Sequence, residues 1–191
     1  MKNPKYKILL GSNSPRRREI LSSLRIPFTV VTLEGIDESY PEDMDLDKVS
    51  EYISNKKAEA YLSRILDNEM IITADTIVIC DGKILGKPKD KNEAMEMLHF
   101  LSGKTHKVTT GVTVATKEKR VSFTSETYVT FADLTEDEIR YYVDTFSPLD
   151  KAGAYGIQEW IGAAAVAKIN GSFYNVMGLP IHRLYQVLKE F

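Results

Sequence analysis

Cysteine is almost absent: Cys80 is the single one in 191 residues, so no disulfide can close within the chain. It lies in the apolar run Ile77-Val78-Ile79-Cys80, where a small buried hydrophobe is expected rather than a reactive thiol. Histidine is scarce as well, and His99, His106 and His182 lack any H-x-x-x-H spacing, which argues against a zinc site. No apolar stretch, including the one in the opening MKNPKYKILLGSNSPRR, is long enough for a membrane span or a signal peptide. With no export signal and no disulfide pair, the expected compartment is the cytoplasm. Neither sign of charge dominates. The formal net charge is -2, which gives no bulk field for nucleic acid or anionic lipid, and neither is expected as a partner. There is no G-x-x-x-x-G-K-[ST] loop, no G-x-G-x-x-G after a strand and no G-x-S-x-G elbow, so P-loop, dinucleotide-binding and serine-hydrolase chemistries fall away.

What is present is an ordinary globular composition, 43% hydrophobic and 27% charged, whose apolar period changes repeatedly, as in an α/β protein. Residues 6–11 predict a buried strand. Ser14-Pro15 predicts an N-cap followed by proline in the first helical turn, with Ile20, Leu21 and Leu24 as the apolar stripe. Phe28–Leu33 reads as a strand, 47–66 as a helix, and Met70–Ile79 as β-rich but interrupted at Ala74-Asp75-Thr76. A turn follows at Asp81-Gly82. Residues 91–102 read as a helix stopped by Gly103. Lys107–Thr116 and Val121–Phe131 predict a long hairpin. Thr135-x-x-Glu138 is a capping box before a helix to about Phe146. A glycine-containing loop spans 150–158, a strand 163–169 and a closing helix 180–191.

Several clusters carry chemistry. Where the first strand meets the first helix, Gly11-Ser12-Asn13-Ser14-Pro15 offers backbone N–H groups and the positive end of a helix dipole. Arg16, Arg17 and Arg18 crowd that end against the dipole, which makes sense if a multiply charged anion joins them; a solvated basic turn is the plain alternative. Asp75 stands in an apolar β-rich run. It is either a turn residue between two strands or a carboxylate that is paired, binds a cation or serves a reacting water. Lys87 is framed by Gly86 and Pro88, as a placed lysine or a surface one. Carboxylates crowd Asp37–Asp43, a solvated loop or hard-oxygen ligands for a divalent cation. Lys56 and Lys57 flank a helical stripe, snorkelling or touching phosphate. In Asp150–Gln158, small residues, Tyr155 and the Gln158 amide could wall a base-sized pocket, or Tyr155 could simply pack.

Ser12-x-Ser14-Pro15-Arg16-Arg17, Ala74-Asp75-Thr76-Ile77-Val78, Gly86-Lys87-Pro88, Leu101-Ser102-Gly103-Lys104-Thr105-His106, Asp150–Gln158, Asn170-Gly171-Ser172 and Gly178-Leu179-Pro180 together resemble the Maf proteins, in that family's order and over most of the chain. The resemblance implies a single Maf-like domain over 1–191. Its fold would be α/β, a long mixed β-sheet with flanking helices and two lobes around a central cleft, similar to inosine triphosphate pyrophosphatases. It implies hydrolysis of nucleoside triphosphates to monophosphate and pyrophosphate with a divalent cation, Mg or Mn, and dimers are common among relatives. The presumed general base falls on Asp75. Specificity falls on Arg17, Thr76 and Gln158, all three matching a subgroup similar to dTTP/UTP pyrophosphatases; Arg16 stands where the 7-methyl-GTP subgroup has tryptophan. Phosphate contacts fall on Ser12, Arg16, Lys57 and Lys87, and metal ligands on Glu38 and Asp75, with Asp37 the neighbouring alternative to Glu38. Glu159-Trp160 departs from the family, where glycine commonly follows the glutamine; Trp160 either lines the base pocket or packs. A house-cleaning enzyme for modified pyrimidine triphosphates and a nucleotide-sensing regulator of cell division stay open as alternatives.

Overall fold

A computed structural model describes residues 5–191; residues 1–4, the start of the segment judged too short for a signal peptide, lie outside the described residues. The elements run in the order β1 (Lys7–Gly11), α1 (Pro15–Ser22), β2 (Phe28–Val31), α2 (Leu46–Leu62), β3 (Glu69–Cys80), β4 (Lys83–Leu85), α3 (Lys91–Leu101), β5 (Thr105–Ala115), β6 (Arg120–Phe131), α4 (Glu136–Phe146), a 3₁₀ turn (Ala152–Ala154), α5 (Trp160–Ala164), β7 (Val166–Asn170), α6 (Phe173–Val176) and α7 (Ile181–Leu188). The seven strands form one sheet in the order β2-β1-β3-β5-β6-β7, with β4 paired to β3. It is mixed: β1 runs parallel to β2 and β3, whereas β3–β4 and β6–β7 are antiparallel. The expected α/β fold with a mixed sheet and flanking helices is therefore the one observed. Among the described residues, no helix is long and apolar enough to cross a membrane.

The chain separates into two compact units. The first holds the chain up to Asp75, Thr110–Ser125 and Gly178–Phe191; the second holds Thr76–Thr109 and Glu126–Met177.

In the first unit, β1 buries Ile8 and Leu10, and the opening half of β3 buries Met70, Ile71, Ile72 and Ala74. Strands covered on both faces lose the polar alternation of a half-exposed strand, hence the continuous apolar run. Helix α2 turns Ser50, Ser54 and Ala58 inward, all fully buried. Small residues at four-residue spacing put one flat face of a helix close to its neighbour. Gly111 of β5 lies against that face, and a Cβ there would collide with the backbone of Ser50 and Glu51. Two polar contacts fix the docking: Ser54 Oγ shares a hydrogen bond of 2.9 Å with Thr113 Oγ1, and Thr73 Oγ1 donates to the Ser54 carbonyl at 2.7 Å.

The expected interruption of the third strand does not occur. Residues 69–80 form one strand through Ala74-Asp75-Thr76, because the Asp75 side chain is neutralised by a cation and leaves the backbone ladder intact. The expected strand at 163–169 begins instead as α5, with β7 starting at Val166. Gly162 is required within that turn, since any Cβ there would strike the Ile157 carbonyl, and the alanines that follow favour helix. Other signals hold. Ser14 caps α1 by accepting from the Arg17 N–H, Thr135 and Glu138 form the capping box, and Gly103 (φ 67°) follows α3. Asp81 and Gly82, both at positive φ, make the tight turn that joins β3 to β4.

In the second unit His106 is buried, its Nε2 2.7 Å from the Tyr155 hydroxyl and its ring edge-on to Phe131 and Tyr155. Its Nδ1 has no hydrogen-bond partner among the described residues. Burial lowers the imidazole from 6.5 to about 4, so the native state holds it neutral. As pH falls below 6.5 the unfolded chain takes up a proton that the native state resists. Stability is then lost progressively down to about pH 4, where the deficit reaches about 3 kcal/mol.

Two outcomes are expected in denaturant titrations. Gly111→Ala should lower unfolding stability by about 3 kcal/mol, the upper range of overpacking costs; a loss below about 1 kcal/mol would show that α2 does not need this close approach. The wild type should lose more stability between pH 7 and pH 4 than His106→Phe does, by about 3 kcal/mol. Parallel curves would contradict a neutral buried His106.

Candidate active site

In the first unit, Asp75 ends the part of β3 that belongs there. Its side chain is 12% exposed, and its Oδ1 accepts from Lys57 Nζ at 2.8 Å. Lys57, 13% exposed, comes from the fourth turn of α2 and reaches Glu38 Oε1 at 3.1 Å as well. One ammonium thus holds two carboxylates together. A buried carboxylate costs several kcal/mol unless paired, and Lys57 provides that pairing. Lys57 is therefore neither snorkelling nor placed for phosphate alone.

The acidic loop divides its labour. Asp37 accepts from Lys56 Nζ at 2.7 Å and from the Ser39 N–H and hydroxyl, each at 2.9 Å. The Lys56 hydrogen bond, with those from Ser39, holds the Asp37 carboxyl well below the usual carboxylate range. Asp37 is spent on shaping the loop, and Glu38 is the residue that shares Lys57 with Asp75.

The start of α1 lies in the same unit. Ser12 Oγ accepts from the Ser14 N–H at 3.2 Å and from Arg17 Nη1 at 3.4 Å, and Arg17 Nε donates to the Gly178 carbonyl at 2.8 Å. Burial pushes the Arg17 guanidinium below its ordinary value; the charge of Asp75 opposes this, neighbouring Arg16 adds to it, and Glu38 opposes it again. Arg17 stays protonated at neutral pH. Arg16, Arg17, Lys57, Asp75 and Glu38 thus share one electrostatic neighbourhood. Helix α1 has no acidic residue in its first turn to meet its dipole, which makes that end receptive to an anion.

The second unit places its residues separately. Thr76 continues β3 and is half-buried. Lys87 is exposed, beside buried Pro88. The Gly86 carbonyl accepts the Gly153 N–H at 3.0 Å, which ties the loop carrying Lys87 to the glycine loop before Gln158. Gln158 is exposed on a turn closed by the Glu159 N–H donating to the Gly156 carbonyl at 2.9 Å. Tyr155 packs: it is 5% exposed, with its ring edge-on to Phe131. Trp160 packs too, edge-on to Tyr141 and stacked beside Tyr142. Cys80 is buried, and burial raises its thiol, as expected of an inert cysteine.

The implied divalent metal can be tested against these groups. Among the described residues, no three His, Cys, Asp or Glu side chains converge on a common point, so no preformed protein cage exists. Mg²⁺ and similar ions, however, are commonly held by one or two carboxylates together with waters and substrate phosphates. Glu38 and Asp75, already converging on one cation, fit that donor set.

Two features went unread in the sequence. One is the Gly178 carbonyl that fixes Arg17, for which the Gly178-Leu179-Pro180 motif is the only signal. The other is a buried network around Tyr142, for which Glu159 in place of glycine is the hint.

A mixed sheet with this strand order, flanked by helices, defines an α/β fold also seen in the Ham1 protein of Coxiella burnetii, with a TM-score of 0.52 and 13% identity over 97% of this chain and all of that one. At that identity the likeness concerns the fold alone. Residues 7–191 match the Maf family of Maf-like proteins, and the chain belongs to it. It is similar to the dTTP/UTP pyrophosphatase of Bacteroides thetaiotaomicron, 56% identical over 97% of this chain and 96% of that protein. It is also similar to the dTTP/UTP pyrophosphatase of Parabacteroides distasonis, 55% identical over 98% and 97%.

Removing the shared ammonium exposes the cost of the charges it holds. Lys57→Met should destabilise the protein by about 3 kcal/mol in urea, because Asp75 is left buried without a partner. Adding Asp75→Asn should restore part of that loss. If the two losses simply add, the pair is not coupled.

Proposed function

We propose that this chain hydrolyses dTTP and UTP to the nucleoside monophosphate and pyrophosphate. The observation that carries the reading is the Asp75–Lys57–Glu38 cluster beside the arginine-rich start of α1. Relatives more than 50% identical over nearly the whole chain, each named dTTP/UTP pyrophosphatase, support the substrate.

In this reading a water oxygen attacks the α-phosphorus. The bond from that phosphorus to the α–β bridging oxygen breaks, and pyrophosphate leaves with the electron pair. Asp75 accepts the water proton; Lys57 on Oδ1 keeps the carboxylate oriented until it does. Arg16, Lys57 and Lys87 are assigned to the phosphates, with Ser12 offering its hydroxyl, so that fixed cations meet the charge developing on the leaving group. Glu38 and Asp75 would hold the divalent cation, Mg or Mn, which when bound neutralises phosphate oxygens. Arg17, Thr76 and Gln158 are assigned to substrate choice. A Gln amide both donates and accepts, as a uracil or thymine edge requires. The cytoplasm is the setting we propose, where a lone buried thiol stays reduced.

The test is product analysis on a panel of nucleoside triphosphates with Mg²⁺, Mn²⁺ or EDTA. Monophosphate and pyrophosphate from dTTP and UTP, lost in EDTA, are expected. Asp75→Asn should reduce turnover about 10³-fold with the fold retained by circular dichroism. Diphosphate and phosphate as products would contradict the reaction, and near-normal turnover of Asp75→Asn would remove Asp75 from the role of base.

A further inference from the structure

Tyr142 of α4 is fully buried within the second unit. Its hydroxyl accepts the Gly156 N–H at 2.9 Å and donates to a Glu159 carboxylate oxygen. The other Glu159 oxygen lies 3.2 Å from Lys151 Nζ, and Lys151, also buried, donates to Asp150 Oδ1 at 2.7 Å. Gly156 and Glu159 are the two ends of the turn whose exposed member is Gln158. A single phenol oxygen therefore grips both ends of that turn, while Lys151 anchors the carboxylate from the other side. The room inside is tight: a Cβ on Gly156 would stand 2.9 Å from the Glu159 carboxyl carbon and 3.0 Å from Gln158 Nε2. The Phe146 and Trp160 rings, stacked at 5.1 and 6.5 Å from the Tyr142 ring, hold the phenol in place.

An exposed side chain on a loose turn must be ordered each time it binds, and that ordering weakens binding. A glycine after the glutamine could not supply a carboxylate to such a network. We propose that Tyr142 and Glu159 are positioning residues for substrate recognition, bracing the Gly156–Glu159 turn so that Gln158 presents its amide to the pyrimidine edge in a fixed orientation. The proposal rests on the assignment of Gln158 to the base. Neither residue touches substrate; both act through Gln158.

Steady-state kinetics on dTTP and UTP with Tyr142→Phe, Glu159→Ala, Glu159→Gln and Gln158→Ala test it. Tyr142→Phe should raise KM about tenfold, the value of one hydrogen bond to a charged group, and leave kcat within about twofold. Glu159→Ala should behave alike, and Glu159→Gln, which keeps an acceptor for the phenol, should recover part of the loss. In the Gln158→Ala background, Tyr142→Phe should have no further effect on KM. An unchanged KM in Tyr142→Phe, or the same rise with and without Gln158, would overturn the brace while the substrate reading stands. Failure of the wild type to turn over either nucleotide would overturn the substrate reading and the brace with it. Should Tyr142→Phe not fold, the Glu159→Ala and Glu159→Gln pair decides the matter by the same cycle.

Discussion

A carboxylate in the middle of a buried strand is tolerated only with a cation at contact distance, and the Asp75–Lys57 pair is the constraint on which the rest of the candidate site depends. The pair forces α2 to present its fourth turn to β3 at one height and one rotation. The same ammonium then recruits Glu38, which orders the end of the acidic loop. Arg17 feels both carboxylates and is steadied by the Gly178 carbonyl and the Ser12 hydroxyl. These charges stand beside a helix start that lacks its own acidic residue.

The helix can take that position because its inner face is small. Ser50, Ser54 and Ala58 let α2 settle against β5 at Gly111; the Ser54 and Thr113 hydroxyls bond each other and the Thr73 hydroxyl bonds the Ser54 carbonyl, where larger apolar side chains would hold the layers apart. Packing and chemistry are therefore linked through one element. A bulkier α2 face would move Lys57 away from Asp75 and turn a paired carboxylate into an isolated buried charge.

Much of this was legible in the residues alone. The cap at Ser14-Pro15, the capping box at Thr135, the Asp81-Gly82 turn and the long strands of the hairpin region follow local rules that tertiary context did not override. The strand through Asp75 reads as interrupted in the sequence because its charge partner, Lys57, sits on a different element. No periodicity argument brings those two side chains together. The choice between Asp37 and Glu38 was equally closed to sequence, since adjacent acidic residues differ only in what the loop places beside them. Helices α5 and α6 are too short to show a helical period. Tyr142 reads as an ordinary apolar helix position until its hydroxyl is seen to hold a turn elsewhere in the chain.

In the proposed reaction the cluster around Asp75 delivers a water to the α-phosphorus. Turnover of UTP in heavy-oxygen water, with mass spectrometry of both products, reads the attacked atom directly. One heavy oxygen is expected in the monophosphate and none in pyrophosphate. Label in pyrophosphate would place the attack on the β-phosphorus and contradict that reaction.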